Sequence, residues 1–520
     1  MIRHPIRALY DGLAHGAGRP ALHEGPVTLS HGQLIERVEA MAGALAALGA
    51  GCGDRIGLCA ANSWRHAVVY LAILRLGAVW TPLNPRNGAT LNRELRRRAG
   101  LTLTLYDAAS TDALGDTAGA ILIDDVEAST TRATLPEIDD APDAPFALKF
   151  TGGSTGAPKG VVQSVRSAAT ALASLEAFYG FSTEDVNLAV APLTHGAAHY
   201  ILPVLAAGGS HVLLDRPDRA AILAELKRRV SVVFMPPTLI YLLMQEAAFS
   251  PDDFPALRHL TWSAAPMPPA RIAEAIGRFG PVLSSLYGQT EAPMTIAGLS
   301  PEELADPACR TSVGRPFPGT PVAVLDADGE VRTANAEGEV LVGGDLAATW
   351  YLDDPELTTA TRHDEWRRTG DLGRLDPEGY LHLLGRTSEL IITGGYNVYP
   401  AEVEAALSRH PAVSEACAFG VEDPVWGDRL EAAVATTRKT DATELTAFVR
   451  EAIGPVRTPK TIHLLAALPR NPVGKVVRSE VRDMIYPATE RSGDRQKTED
   501  ADDSRARSAD TRLQGEGLVG

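Results

Sequence analysis

FALKFTGGSTGAPKG, residues 146–160, reads as an apolar strand running into a loop with four Gly, three Ser/Thr, one Pro and one Lys. Such a loop has phosphate-binding chemistry. Its glycines, Gly156 among them, let backbone N–H groups approach an anion; the hydroxyls of Thr151, Ser154 and Thr155 add donors, and Lys159 supplies a charge for terminal phosphates. Two standard motifs share letters with it. A P-loop ends in Gly-Lys-Ser/Thr, whereas Lys159 follows Pro158 and precedes Gly160. Residues 152–156 also satisfy G-x-S-x-G, but the serine elbow of a hydrolase turns straight into a helix, which Pro158 disfavours. His195 and His199 precede any clear triad acid, and the hydrolase order places His last.

Outward from the loop, short apolar runs alternate with helix-period stretches. On the N-terminal side RIGLCA and GAILID read as strands, and SHGQLIERVEAMAGALAALG and SWRHAVVYLAILRLG as helices. Beyond residue 150, DVNLAVA, GSHVLLD, VSVVFMP and HLTWSA read as further strands. The alternation predicts an α/β body of parallel strands with crossover helices. Near residue 320 the texture changes to turn-bounded strands, TPVAVLDADGEV, EGEVLVGG and GYLHLLGR, expected to pair as antiparallel hairpins. The expected division is a large N-terminal domain over 1–388 and a small mobile α+β domain over 389–486, with helix, strand, strand, helix, strand order. Residues 487–520 are charged and nearly free of aromatic residues, and are expected to be disordered.

With 520 residues, 45% of them hydrophobic and 22% charged, the chain excludes collagen, coiled coil and wholesale disorder. A net charge of −16 argues against a nucleic-acid groove. No apolar run reaches the length of a membrane span, and MIRHPIRALYDG lacks the apolar stretch of a signal peptide, so a cytoplasmic protein is expected. Cys52, Cys59, Cys309 and Cys417 show no metal-ligand spacing and read as free thiols. HGAAH places two imidazoles four residues apart, but without an intervening Glu or a third ligand they read as pocket-lining histidines rather than a zinc site.

Further motifs follow the loop in order: APLTHG (191–196), SAAPMPP (263–269), YGQTE (287–291), TGDLG (369–373), GRTSELIITGGYNVYPAEVE (385–404) and PRNPVGK (469–475). Together with FTGGSTGAPKG this series resembles the adenylate-forming superfamily of acyl-CoA synthetases, adenylation domains and luciferases, over residues 29–482. The resemblance implies ATP-dependent activation of a carboxylic acid: its oxygen attacks the α-phosphate, giving an acyl-adenylate and pyrophosphate. Ser154, Thr155 and Lys159 would then hold the β- and γ-phosphates, Thr290 would touch the α-phosphate, and Glu291 would bind Mg²⁺. Tyr287 would offer an aromatic face to adenine, with the backbone of Ala264, Ala265 and Pro266 as the opposite wall. Asp371 would accept from the ribose hydroxyls.

Lys475 would be the catalytic lysine bridging carboxylate and α-phosphate. Arg386 matches the arginine before the hinge, and Glu389 stands at the hinge itself, where the family usually has Asp or Lys; the small domain would turn there between half-reactions. Taken singly, YGQTE could be a helix cap and TGDLG a tight turn. Their appearance together with the phosphate loop makes the functional reading the stronger one. Departures are few: Gly152 stands where Ser is usual, and QSVRS follows where a His is frequent.

For the acceptor, Gly394 and Gly395 resemble the narrow pantetheine tunnel of CoA ligases, and Trp426 resembles a position against the CoA adenine. ATP, Mg²⁺ and CoA are the implied cofactors. The alternative is an adenylating amide-bond synthetase, or transfer to a separate carrier protein. By analogy the acid lies between residues 195–199, 262–264 and 288–294, with His195 gating or orienting it. These stretches hold no Lys or Arg, so the expected substrate is an apolar monocarboxylate, whether aryl, alicyclic or fatty. The sequence leaves the oligomeric state open.

Overall fold

The computed structural model describes residues 2–131, 133–151, 158–246, 249–470 and 476–487, and the chain divides into two compact units, Met1–Ser388 and Glu389 onward.

Two large mixed sheets and one antiparallel sheet build the first unit. One sheet has a parallel centre of Ser210–Leu213, Val186–Ala189, Val232–Phe234, His259–Trp262 and Leu283–Gln289, with antiparallel Ala292–Leu299 beyond it. The other runs Thr349–Tyr351, Lys159–Ser164, Pro145–Thr151, Val79–Pro82, Arg55–Cys59, Leu103–Tyr106 and Ile121–Leu122, antiparallel at its first two junctions and parallel thereafter. A continuous apolar cluster takes in residues of both sheets and of the helices His31–Ala47, Trp64–Arg75 and Val165–Tyr179. In Trp64–Arg75 every residue except Arg65 and Arg75 is buried, the signature of a helix enclosed on all sides. Ser30 opens His31–Ala47 with a capping box completed by Gln33, so that helix start was written locally.

The third sheet pairs Val322–Leu325, Ala336–Val342, Trp366–Leu375 and Leu381–Arg386 antiparallel, as the hairpin dipeptides predicted. One local expectation needs correction. GAILID is not a strand through its length: Ile121–Leu122 makes a two-residue edge strand, and Ile123–Ala128 is helical. Ile123 and Val126, three apart, are the buried residues of that helix, and a three-residue apolar period was hidden in a run too short to show it.

In the second unit, Pro400–Ser408, Val413–Asp423, Gly427–Thr436, Ala442–Ile453 and Thr461–Leu465 follow in helix, strand, strand, helix, strand order. Their apolar faces close on Val403, Leu407, Leu430, Val434, Leu445 and Val449. The four cysteines are free. No helix among the described residues is long and apolar enough to cross a membrane.

Candidate active site

Thr151 ends its strand directly opposite Lys159, which begins the next one, so the two mouths of the glycine-rich loop are held side by side by an antiparallel ladder. A strand, Lys159–Ser164, follows the loop where a P-loop or a serine elbow would have a helix. Gly160 allows this closure, since a Cβ there would sit 3.1–3.2 Å from Leu148, Leu352 and Phe150. Ser154, Thr155 and Gly156 lie outside the described residues, as do Lys475 and the tail from 488.

YGQTE is neither a helix cap nor a loose loop. Leu283–Gln289 and Ala292–Leu299 form a hairpin in which Gln289 pairs with Ala292, leaving Thr290 and Glu291 as the turn. Gly288 is required there: a Cβ would come within 2.5 Å of the Met294 backbone nitrogen, and Met294 has a φ of 62°. Three groups from the other sheet fix the turn. Gln163 Nε2 donates to the Thr290 carbonyl at 2.8 Å, Thr349 Oγ1 donates to the Glu291 carbonyl at 2.8 Å, and Tyr351 Oη donates to Glu291 Oε1 at 2.9 Å. Gln163 lies four residues after Lys159 and pairs with Thr349 across the ladder. The phosphate-loop hairpin and the Thr290–Glu291 turn are therefore one hydrogen-bonded assembly. Buried Arg367, 1% exposed, donates to the Thr349 carbonyl from behind.

Asp371 faces Arg386 across the antiparallel pair Trp366–Leu375 and Leu381–Arg386. Its carboxylate is 6% exposed and doubly engaged, accepting from Tyr287 Oη at 2.6 Å and pairing with Arg386 Nε at 2.9 Å. Burial first, and the adjoining carboxylate next, hold the Tyr287 phenol protonated far above its ordinary range. Tyr287 is 8% exposed and packs among Ala171, Ala292, Ile296 and Ala297. In the structure its hydroxyl orients Asp371.

Ala264, Ala265 and Pro266 occupy the loop at the C-terminal end of His259–Trp262, the end of a parallel strand where open α/β sheets place ligands. Ala264 has a φ of 71°, a strained conformation for a residue with a Cβ.

His195 precedes the short turn Gly196–Tyr200. Its Nδ1 lies 2.9 Å from Thr194 Oγ1. His195 is exposed, and the protein around it, with lesser contributions from Lys149 and Arg86, lowers its pKa from the ordinary imidazole value, so it is neutral at pH 7. His199 Nδ1 lies 3.2 Å from the Gly196 carbonyl, and its Nε2 lies 3.3 Å from Lys149 Nζ. No cluster of three metal-ligating side chains occurs among the described residues.

In the second unit, Gly394 and Gly395 connect Ile391–Thr393 to Tyr396–Val398 as a two-residue hairpin turn, with φ of 57° and 80°. Two consecutive positive φ values are the demand of a primed turn, so local geometry alone calls for both glycines. Gly394 has a second reason. A Cβ there would lie 3.1 Å from the Trp426 ring, and its N–H donates to the Trp426 carbonyl at 2.8 Å. Trp426 is 43% exposed beneath Lys460, whose Nζ lies 4.6 Å from the ring centroid. Glu389 pairs with Arg478, and Arg478 also holds Glu404 at 2.6 Å and the Ala418 carbonyl at 2.6 Å. The position read from sequence as the hinge thus carries an anchored side chain.

Sequence reasoning missed Gln163, Thr349, Tyr351 and Lys149. Gln163 had a signal, a lone amide in the apolar strand GVVQS; the others are defined only by tertiary neighbours.

Residues 11–352 match the AMP-binding enzyme family, and residues 402–475 match the AMP-binding enzyme C-terminal domain. A medium/long-chain fatty-acid–CoA ligase of Mycobacterium tuberculosis is 30% identical, over 94% of this chain and 91% of its own. A feruloyl-CoA synthase of Amycolatopsis is 30% identical, over 89% and 95%. Among solved structures, the amide bond synthetase of Marinactinospora thermotolerans superposes with a TM-score of 0.83 at 29% identity, covering 92% of this chain and 99% of that one. The o-succinylbenzoate CoA synthetase of Bacillus subtilis, in complex with its acyl-adenylate intermediate, gives 0.82 at 28%, covering 92% and 98%. With both parts of the family matched and relatives aligned along nearly their whole length, the chain belongs to the AMP-binding enzymes, the adenylate-forming family that includes acyl-CoA ligases.

Proposed function

We propose that the protein uses ATP to activate an apolar monocarboxylic acid, aryl, alicyclic or fatty, as an acyl-adenylate, and then passes the acyl group to the thiol of CoA. The observation that carries this reading is the single assembly formed by the glycine-rich hairpin, the Thr290–Glu291 turn and the Tyr287–Asp371–Arg386 group. Displacement at phosphorus depends mainly on positioning and on relief of developing charge, and a turn fixed from three sides provides the first.

In this reading Thr151, Ser154, Thr155, Gly156 and Lys159 take the β- and γ-phosphates, and Thr290 takes the α-phosphate. Asp371, held by Tyr287 and Arg386, accepts from the ribose hydroxyls with its remaining lone pairs. Ala264, Ala265 and Pro266 line the base. Glu291 suits Mg²⁺: Tyr351 occupies Oε1, whereas Oε2 has no protein partner among the described residues, and a hard cation favours one carboxylate together with phosphate oxygens. When bound, the ion supplies positive charge against the phosphate oxygens. Neutral His195 orients the acid without donating charge to it. By the family resemblance, Lys475 neutralises the carboxylate and α-phosphate during adenylation, and Glu389 is the point about which the small domain turns. Gly394, Gly395 and Trp426 are assigned to the CoA step. The exposed apolar side chains Ile392, Tyr396, Val425 and Trp426, 43–79% exposed around that hairpin, support a contact role for this corner.

A reaction containing ATP, Mg²⁺ and a panel of monocarboxylic acids, with and without CoA, tests the reading by pyrophosphate release and product mass. Pyrophosphate from an apolar acid together with an acyl-CoA is the expected result. Amide as the main product when simple amines are added, with CoA ignored, would transfer the protein to the amide-synthetase class represented by its structural relative.

A further inference from the structure

Lys149 stands two residues before Thr151 on the strand leading into the glycine-rich loop, on the side that carries Trp80 and His199. Its Nζ lies 5.2 Å from the Trp80 ring centroid and 3.3 Å from His199 Nε2. No carboxylate pairs with it among the described residues, and burial alone holds its ammonium down to about 7. Lys149 is half-buried, and holding a lysine there without an acid is a costly arrangement.

The hydrogen-bond inventory shows what is missing. His199 Nδ1 meets a carbonyl, that of Gly196, and so must carry the proton; Nε2 is then the bare nitrogen and accepts from Lys149. Lys149 has three N–H donors. One goes to His199, one faces the Trp80 ring, and the third has no protein acceptor among the described residues. The indole N–H of Trp80, itself 1% exposed, also lacks an acceptor among the described residues. Among those residues, donors here outnumber acceptors.

The place matters as much as the count. His199 belongs to the turn Gly196–Tyr200, and a Cβ on Gly196 would lie 2.8 Å from the Phe234 ring and 3.6 Å from Met294 Sδ. The partner of Lys149 is thus on the element that meets Met294, so two of the three stretches read from sequence as walls of the acid site come together beside it. The absence of Lys and Arg from those stretches did not reveal this, because Lys149 enters from a different strand.

We infer that the acid carries an uncharged oxygen acceptor, a hydroxyl, ketone or ether, on its apolar body, and that Lys149 is the specificity-determining residue that holds this oxygen. The inference rests on the proposed adenylation. It favours an uncharged oxygen over a second carboxylate, because one ammonium beside a neutral imidazole and an indole offers too few donors to satisfy both oxygens of a buried carboxylate. Facing Lys149 are His199 and Trp80, and its charge and that of Arg86 both act on His195.

The test compares matched acids: cinnamic with 4-hydroxycinnamic, cyclohexanecarboxylic with 4-oxocyclohexanecarboxylic, and decanoic with 10-hydroxydecanoic. Pyrophosphate release is measured for each with the wild-type enzyme and with Lys149→Met, alongside thermal melting. The expected result is a preference for the oxygenated member of at least one pair, about ten- to a hundredfold in kcat/KM, the weight of a hydrogen bond from a charged donor. This ratio collapses towards one in Lys149→Met, whose melting temperature is equal or higher. A ratio near one for every pair in the wild type, or a preference that survives Lys149→Met, overturns the inference and leaves the adenylation reading standing. Equal loss on both members with a lowered melting temperature makes Lys149 a structural residue and also overturns it. No pyrophosphate from any acid would refute adenylation itself, and the inference with it.

Discussion

Replacing Tyr287 by Phe removes one oxygen and little else, and the structure sets the size of the effect. The lost bond is a 2.6 Å donation from a buried phenol to a buried carboxylate. A hydrogen bond to a charged group is worth about 1.5–3 kcal/mol net. The remaining partner, Arg386, has a side chain 46% exposed and substitutes for at most about 1 kcal/mol. The first unit should therefore lose about 2 kcal/mol in urea unfolding, and kcat/KM for ATP should fall about tenfold as Asp371 loses its orientation. Asp371→Asn should be worse, about a thousandfold for ATP, because the ribose loses a charged acceptor and an amide now confronts two donors. If Tyr287 acts through Asp371, adding Tyr287→Phe to Asp371→Asn changes kcat/KM by less than threefold, and the two losses do not add. Steady-state kinetics over ATP concentration decide this. Fully additive losses would show that Tyr287 meets the nucleotide on its own account, and the reading of a buried positioning tyrosine would fall.

Gly288→Ala should destabilise the Tyr287–Glu291 hairpin by more than about 2 kcal/mol, since the new Cβ meets backbone rather than a flexible side chain; urea unfolding unchanged within error would contradict the close approach. Lys475→Ala should reduce acyl-adenylate formation by orders of magnitude while sparing thioester formation from a supplied acyl-adenylate; equal loss in both halves would remove the two-conformation reading. Acid sensitivity follows from buried histidines held down mainly by desolvation, among them His4 and His259 to about 4 and His211 to about 3. Between pH 6.5 and about 4 the unfolded chain binds protons that the native state refuses, so their contribution is complete above pH 6.5 and is lost as the pH falls. The urea midpoint should drop steadily from pH 7 to pH 5, and a constant midpoint would refute the assignment.

The parts of the site that were legible in the sequence are those whose chemistry is local. Thr151 and Lys159, read together from one short loop, are tied by a ladder that spans it, whereas Gly394 and Gly395, read by resemblance as a tunnel, also form a hairpin turn that their letters did not announce. The long helices were equally plain, because Trp64–Arg75 and His31–Ala47 carry both their apolar runs and their Ser caps. What stayed hidden depends on contacts distant in the chain. Gln163 fixes the Thr290 carbonyl 127 residues away, and Lys149 finds His199 50 residues on. Tyr287 was read for its ring, and the bond from its hydroxyl to Asp371, 84 residues on, was not foreseen. Glu389 was read as the hinge, and its pairing with Arg478, which couples that position to the helix Arg478–Ile485, was not foreseen.

The central claim is that the acid's own oxygen attacks the α-phosphate of ATP. Incubation with ATP, Mg²⁺, CoA and an acid labelled with ¹⁸O in its carboxylate, followed by mass spectrometry of the nucleotide and phosphate products, tests it directly. The account predicts AMP carrying one ¹⁸O, together with unlabelled pyrophosphate. ADP with ¹⁸O in inorganic phosphate, or unlabelled AMP, would contradict it.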